Sequence, residues 1–554
     1  MKRILILCGL IFWASSLHAE VFCVDDAVDG PANAADCDAD CSDGLQDCSL
    51  RDAIFAANGN GAAAIDDIVF NIPGPGPHTL FFTSGLPTLN TPVHIDGYTQ
   101  PGSSRNTLEI GGNAVLRVEL DGSTAGPSTN GLSLTPGSSG STIEGLVVHG
   151  FTTTNVRLDA DDTRFLGNFI GTDVQGELPG ASLGLPDGIF IKGANNVIGG
   201  PKPGDRNVIS GNAFVGIAIV GENAWGNIVQ GNHIGADVTG AQNVGNGYVG
   251  ISILFDSHDN LIGGIEPGAG NVIAFNEGSG VSVSDLGGGN AVLGNSIFSN
   301  FENESFADIG LGIDLNGDGI TPNDLGDLDD GPNRLQNFPE LSEAFVLENG
   351  QVLFQVSLNS EPNQEYRLEF FANEACDDSG YGEGKIFLGS IDAVNTDAGG
   401  NTAGAMSFAT TLPAQGGFFL TATATSLDGG DTSEFSPCVQ VLQAAEQCGN
   451  DADDDGDGSV DCADPDCAPQ PSCQERQQSP GNGADEPEST EDCQSLPCPG
   501  PTVGLQWVNG GGCSLGGGIL GRENHSMAPG IFWGIFLVAA SSLGVRVLGR
   551  TLGA

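Results

Sequence analysis

The sequence predicts an all-β protein built around a right-handed parallel β-helix, and three observations predict it. First, blocks recur at one offset: Asn196-Val197-Ile198-Gly199-Gly200 returns as Asn260-Leu261-Ile262-Gly263-Gly264, 64 residues later. Gly167-Asn168-Phe169-Ile170-Gly171 returns as Gly231-Asn232-His233-Ile234-Gly235, and Asn207-Val208-Ile209 as Asn271-Val272-Ile273, at the same offset. Second, short alternating runs lie between the blocks: GLSL from Gly131, GIFI from Gly188, GIAI from Gly216, GISI from Gly250 and GVSV from Gly280. Third, 86 glycines without a G-X-Y period, with 39% apolar and 6% aromatic residues, exclude collagen and point to turn-dense β-structure.

An offset of 64 divides into about three turns of roughly twenty-odd residues, the size of one solenoid coil. Inward Val, Ile, Leu and Phe would then stack on the same positions of the next coil. The intervening Asn and Gly suit bends that need positive φ, and equivalent Asn can stack as a hydrogen-bonded ladder. A propeller or an immunoglobulin-like array would need longer strands with hairpin turns at fixed intervals. The β-helix is expected over residues 60–316.

Seventeen Lys+Arg against 71 Asp+Glu give a net charge of −54, which excludes nucleic acid as a partner. Such an excess suits an extracellular protein kept soluble by charge or binding divalent cations. Met1-Lys2-Arg3, the apolar run Ile4–Trp13 and the ending Leu17-His18-Ala19 read as a secretory signal over residues 1–19. Cys8 leaves with it. The other cysteines fall into local groups, as disulfides in an oxidising compartment would. These are Cys23, Cys37, Cys41 and Cys48; Cys376 and Cys438; Cys448, Cys462, Cys467 and Cys473; and Cys493 and Cys498. Cys376 is expected to pair with Cys438, while each group of four leaves three pairings open. Cys513 is left over.

Within the Cys-rich region 20–59, Cys48–Asn58 reads CSLRDAIFAAN, one of the few helix-like stretches. Ser49 can cap it with Asp52 three residues on, Leu50, Ala53, Ile54 and Ala57 share a face, and Asn58-Gly59 offers a stop. A solenoid exposes apolar core at its ends, so this face is expected to close the first coil, stapled upstream by Cys48. The stretch resembles the CSLREA-type N-terminal region of secreted bacterial β-helix proteins, with Asp52 where that pattern has Glu. The resemblance covers roughly residues 23–341 and implies the same capped solenoid.

Beyond the coils, Asp314, Asn316, Asp318 and Gly319 match the first half of a calcium loop, although Leu325 stands where its closing Glu would be. Residues 317–339 read as an acidic linker. VLFQVSL from Val352, YRLEFF from Tyr366 and FFLTATAT from Phe418 alternate with period two, so 340–442 is expected to be an Ig-like β-sandwich. In 443–473, Asp453, Asp455, Asp457, Asp461 and Asp464 take positions one, three, five, nine and twelve of a second calcium loop. That stretch resembles thrombospondin-type Asp-rich repeats and implies structural Ca²⁺. Residues 474–512 read as a flexible spacer, rich in Pro, Gly and Ser. In 513–554, GGGCSLGGG around Cys513 precedes an apolar run, 526–545, trailed by Arg546 and Arg550. This ending resembles Cys-bearing C-terminal sorting signals of Gram-negative surface proteins, which implies processing and lipidation at Cys513; a retained transmembrane anchor is the other reading.

Enzyme, binding protein and passive envelope component all remain open to such a chain. The β-helix hosts pectate lyases, polygalacturonases and alginate epimerases, yet no G-H-G or R-I-K element is present, only Asp161-Asp162 and an isolated His149-Gly150. Arg157, Arg164, Lys192 and Arg206 are candidate bases on the solenoid, but nothing singles one out, and Asp173 and Asp237 recur with its period, reading as turn residues first and as a metal site second. The expectation is an exported, membrane-displayed, non-catalytic protein for adhesion or carbohydrate binding. A glycan or a cell-surface protein would be its partner. The alternatives are a lyase- or hydrolase-like enzyme on an acidic glycan, and a purely structural component.

Overall fold

A computed structural model describes residues 19–33, 37, 47–61, 64–181, 184–301, 310–346, 351–402, 406–411, 417–443 and 467. The coils and the sandwich belong to one compact unit within residues 1–480. Three parallel sheets of nine, eight and seven strands run along the solenoid, each strand pairing with its equivalent in the next coil. This is a right-handed parallel β-helix. Register fixes which side chains meet inside. The first sheet stacks Ile68, Ile95, Ile143, Phe165, Ile198, Val229, Ile262 and Val292 in one column. The third stacks Leu132, Val156, Ile189, Ile217, Ile251, Val281 and Ile313. All of these are buried. Branched side chains with one preferred χ1 fill such columns well, which is why the sequence reads as short Val/Ile runs.

The 64-residue offset spans two coils, not three. At one corner equivalent asparagines lie 31 and 33 residues apart. At another the spacing alternates as 39, 25, 39 and 24. The cause is insertion at alternating corners. One coil carries extra chain between Phe169–Ile170 and Asp187–Ile191, and the next between Val197–Gly199 and Val208–Ile209. The following pair of coils repeats this pattern.

Three buried asparagine ladders stiffen the bends. They run Asn196-Asn227-Asn260-Asn290, Asn168-Asn207-Asn232-Asn271-Asn295 and Asn155-Asn212-Asn246-Asn276-Asn300. In each, Nδ2 donates to the next Oδ1 at 2.8–3.3 Å. A buried amide is tolerable only when its donors and acceptors are used, and stacking satisfies them.

The helix Leu50–Asn60 starts with a full capping box between Ser49 and Asp52, and buries Leu50, Ala53, Ile54 and Ala57 against the first coil. It ends at Gly61, with φ of 94°, rather than at Asn58-Gly59. The Asn58 amide bonds Thr88 O and Asn60 bonds the Asp66 carboxylate, so the last turn is held by the coil below it. Cys48 is bonded to Cys37, and Cys23 is also in a disulfide. Arg51 adds a two-toothed ion pair to buried Asp29, at 2.6 and 3.0 Å, and donates to Ser84 O and Gly85 O.

Residues 340–443 form two four-stranded, mainly antiparallel sheets around Phe354, Phe370, Leu368 and Leu420, and Cys376 is bonded to Cys438. The sandwich also closes the other end of the solenoid. Strands there have no further coil to accept their N–H groups, and sandwich side chains take that place. Asp431 accepts from Gly289 N, Thr432 Oγ1 from Val292 N, Glu369 from Gly294 N, Glu383 from Asn300 N, and Glu434 from Leu315 N.

Candidate functional site

The register of the first sheet also sets what faces outward. Asp67 lies beside His94, and Asp96 beside Glu144, on neighbouring coils. His94 therefore sits between two carboxylates, with Nδ1 3.1 Å from Asp67 and Nε2 3.0 Å from Glu144. Arg105, from the loop after the Gly97–Thr99 turn, donates to Glu144 at 2.6 Å and stacks over the Tyr98 ring at 4.4 Å. Tyr98 in turn donates to Gly167 O.

Electrostatics follow from this crowding. Burial alone would raise the Glu144 carboxyl, but the hydrogen bonds from His94 and Arg105 outweigh it and hold the group at about 2. The Glu144 contact raises His94 and favours its imidazolium. Burial, then repulsion by Glu144, raises Asp96. Three carboxylates, Asp67, Asp96 and Glu144, thus surround His94 and Arg105, and Glu144 is the one tied to both. His94, Asp96 and Glu144 bring ligand atoms within 4.8 Å of each other. A metal ion there would have to displace the His94–Glu144 contact, while Asp67 could keep its hold on Nδ1.

The outward column of the third sheet is different. Ser133, Arg157, Phe190, Ala218, Ser252 and Ser282 follow one another on successive coils. The Arg157 guanidinium lies 5.1 Å and the Lys192 ammonium 5.7 Å from the centre of the half-buried Phe190 ring. Both are within cation–π reach. Arg157 is also paired with Asp159 at 2.9 Å. Coils are spaced about 4.8 Å apart, so the column from Arg157 to Ser282 is about 19 Å long, and beyond Phe190 it is formed by the small residues Ala218, Ser252 and Ser282, all of them buried.

The other expected residues take structural places. Asp173 Oδ1 accepts from Glu177 N and Leu178 N, and Asp237 Oδ1 from Ala241 N and Gln242 N: the same turn, two coils apart. Asp161 accepts from Ala194 N, and Asp162 is a left-handed turn residue at φ 54°. Arg206 binds the carbonyls of Leu108, Glu109 and Gly111. His149 bonds Glu119 through Nε2 at 3.0 Å. Asp314 lies buried in the last coil strand, Ile313–Leu315, while Asn316 donates to Asp318 at 3.0 Å. Asp453, Asp455, Asp457, Asp461 and Asp464 lie outside the described residues. So do Cys41, Cys448, Cys462, Cys473, Cys493, Cys498 and Cys513, and the apolar run 526–545. Cys467 is described and is in a disulfide. Among the described residues no helix is long and apolar enough to cross a membrane.

Sequence reasoning missed His94, Arg105 and Glu144. VHIDGYTQ from Val93 carries the alternation of a strand, but Glu144 lies one coil and 50 residues on, so only the register joins them. It also missed a second group of three carboxylates, Asp324, Asp327 and Asp329, whose ligand atoms lie within 4.8 Å of one another.

No protein family and no curated protein matches the chain in sequence. Solved structures similar to it include the enzymatically active domain of bacteriophage CBA120 tailspike protein 2, at 14% identity and a TM-score of 0.21, covering 68% of this chain and 64% of that one. The Azotobacter vinelandii mannuronan C-5 epimerase AlgE4 A-module is also similar, at 14% identity and a TM-score of 0.23, over 46% of this chain and 79% of that one. The third is Geobacillus virus E2 ORF18, at 13% and 0.23, over 71% and 76%.

Proposed function

We propose that the chain is an exported, surface-displayed and non-catalytic solenoid that binds a sparsely charged acidic glycan along its third sheet. One observation carries the reading: two cations share one half-buried aromatic ring, in a chain of net charge −54. A polyuronate would be repelled by that charge, whereas a glycan with isolated carboxylates or sulfates meets local attraction at Arg157 and Lys192. Display rests on the expected signal and on the sorting segment with Cys513. Structural Ca²⁺ at Asp453–Asp464, and at Asp314, Asn316 and Asp318, belongs to the same reading. The test is affinity electrophoresis in acidic polysaccharides. Phe190→Ala with Lys192→Ala should lower retardation at least about tenfold in apparent affinity, and equal retardation of variant and parent would refute the site.

A second reading has support in Asp96 and Glu144. Their carboxyl acidities are pushed apart on neighbouring coils, as glycoside-cleaving pairs are. Against it, Glu144 is tied to two cations, and its side chain is only 8% exposed. Sugar release that disappears in Asp96→Asn would favour this reading over the binding one.

A further inference from the structure

Where the acidic linker meets the sandwich, a cleft of about 140 Å³ opens. A cavity of about 150 Å³ accepts benzene, so this cleft can seat the ring of one sugar while its substituents reach out through the mouth. Its wall is mixed, somewhat more polar than apolar. Glu361, Asp428, Asp431 and Asp327 contribute carboxylates, Arg334 a guanidinium and Gln364 an amide.

The backbone explains how Arg334 arrives there. Asn333, Arg334 and Leu335 are three consecutive left-handed residues, at φ 45°, 53° and 50°. Such a run is held only when the surroundings over-determine it. Here Asn333 is the fixed point, buried against Asn290 and Thr432 at the end of an asparagine ladder. The next residue is thereby thrown outward. Arg334 reaches Glu361 at 2.9 Å and Asp431 at 3.5 Å across the cleft, and its side chain is 62% exposed.

The charges do not balance. Of the four carboxylates, Glu361 and Asp431 contact the one guanidinium, Asp327 accepts from Ser360 Oγ and Asn337 N, and exposed Asp428 has no ion pair among the described residues. Burial pushes the Asp327 carboxyl up to about 7, so the cleft tends to hold a proton. An ammonium group would supply the same positive charge without protonating the carboxylate. The surplus of acceptors suits a ligand rich in hydroxyl donors, and the surplus of negative charge excludes uronates and sulfated sugars.

We infer that this cleft binds a single pyranose carrying a free amino group, a site separate from the column on the third sheet. Asp428 and Glu361 receive the ammonium, while Gln364 and the exposed face of Arg334 bond ring hydroxyls. The test is isothermal titration of the full chain at neutral pH with glucosamine, glucose and glucuronate. Glucosamine should bind saturably, glucose more weakly and glucuronate not at all. Asp428→Asn, at an exposed position where folding is undisturbed, should weaken glucosamine roughly tenfold or more, since hydrogen bonds to charged groups are the strong ones. Gln364→Ala should weaken glucosamine and glucose alike. Phe190→Ala should leave all three unchanged, so failure of the column and failure of the cleft are distinguishable. Absence of saturable glucosamine binding, unaltered binding by Asp428→Asn, or glucuronate binding as tight as glucosamine would each overturn the assignment.

Discussion

Asn333 and Asn290 close an asparagine ladder from outside the solenoid: Asn290 N donates to Asn333 Oδ1 at 3.1 Å, and Asn333 Nδ2 returns a bond to Asn290 O at 2.8 Å. The linker residue thus imitates the asparagine that a further coil would have placed there. Asn333→Ala takes the partner from one buried donor, Asn290 N, and from two buried acceptors, Asn290 O and Thr432 O, and should cost about 1–3 kcal/mol for each group left unpaired. Urea unfolding should show a lower midpoint. A midpoint within error of the parent would mean that water replaces the plug.

The carboxylates that seal the same end predict a pH dependence. Burial pushes Glu383 and Glu434 from the ordinary 4.5 to about 8. The folded protein then holds protons that the unfolded chain has already lost. Their contribution is complete below about pH 4.5 and disappears as pH rises through about 8, with a slope of at most about 1.4 kcal/mol per pH unit for each group. Glu383→Gln with Glu434→Gln should flatten stability measured from pH 5 to pH 9. An unchanged slope would show that neither carboxyl is raised.

At the opposite end, the Arg51–Asp29 pair is nearly buried, with side-chain exposures of 10% and 4%. Removing one partner strands the other charge, so Arg51→Ala should cost about 3–5 kcal/mol. Arg51→Met with Asp29→Leu should cost much less. A double-mutant cycle decides it, since additive losses would mean that the two side chains act independently.

The Cys376–Cys438 bond closes a loop of 62 residues within the sandwich. Its removal by paired Ala substitutions should cost about 2–4 kcal/mol. The sandwich carries the seal, so the last coils should lose amide-exchange protection along with it. Loss confined to the sandwich would show that the solenoid end stands alone.

The interior of the solenoid was legible because its residues repeat: Asn196 and Asn260 announce a ladder, and Ile189, Ile217 and Ile251 a column. Coil length was not legible, because insertions alternate between corners and only the doubled unit repeats in sequence. The cap was readable from a local pattern at Ser49 and Asp52. The His94–Glu144 contact, the Phe190 platform and the docking of Glu369, Glu383, Asp431 and Glu434 were not. Each depends on residues brought together by register across coils or by packing of the sandwich, and neither leaves a mark in a local stretch.

The alternating insertions give the rod a unit of growth. Deleting a single coil would bring two unlike corners into contact, set an insertion against a tight bend and break a ladder spaced 39, 25 and 39 residues apart. Deleting two coils, residues 197–260, would rejoin like with like at every corner. The molecule can therefore lengthen or shorten in steps of about 9.6 Å, twice the strand spacing, with all three ladders intact. A protein made this way has a reach that duplication within its own sequence can tune, two coils at a time.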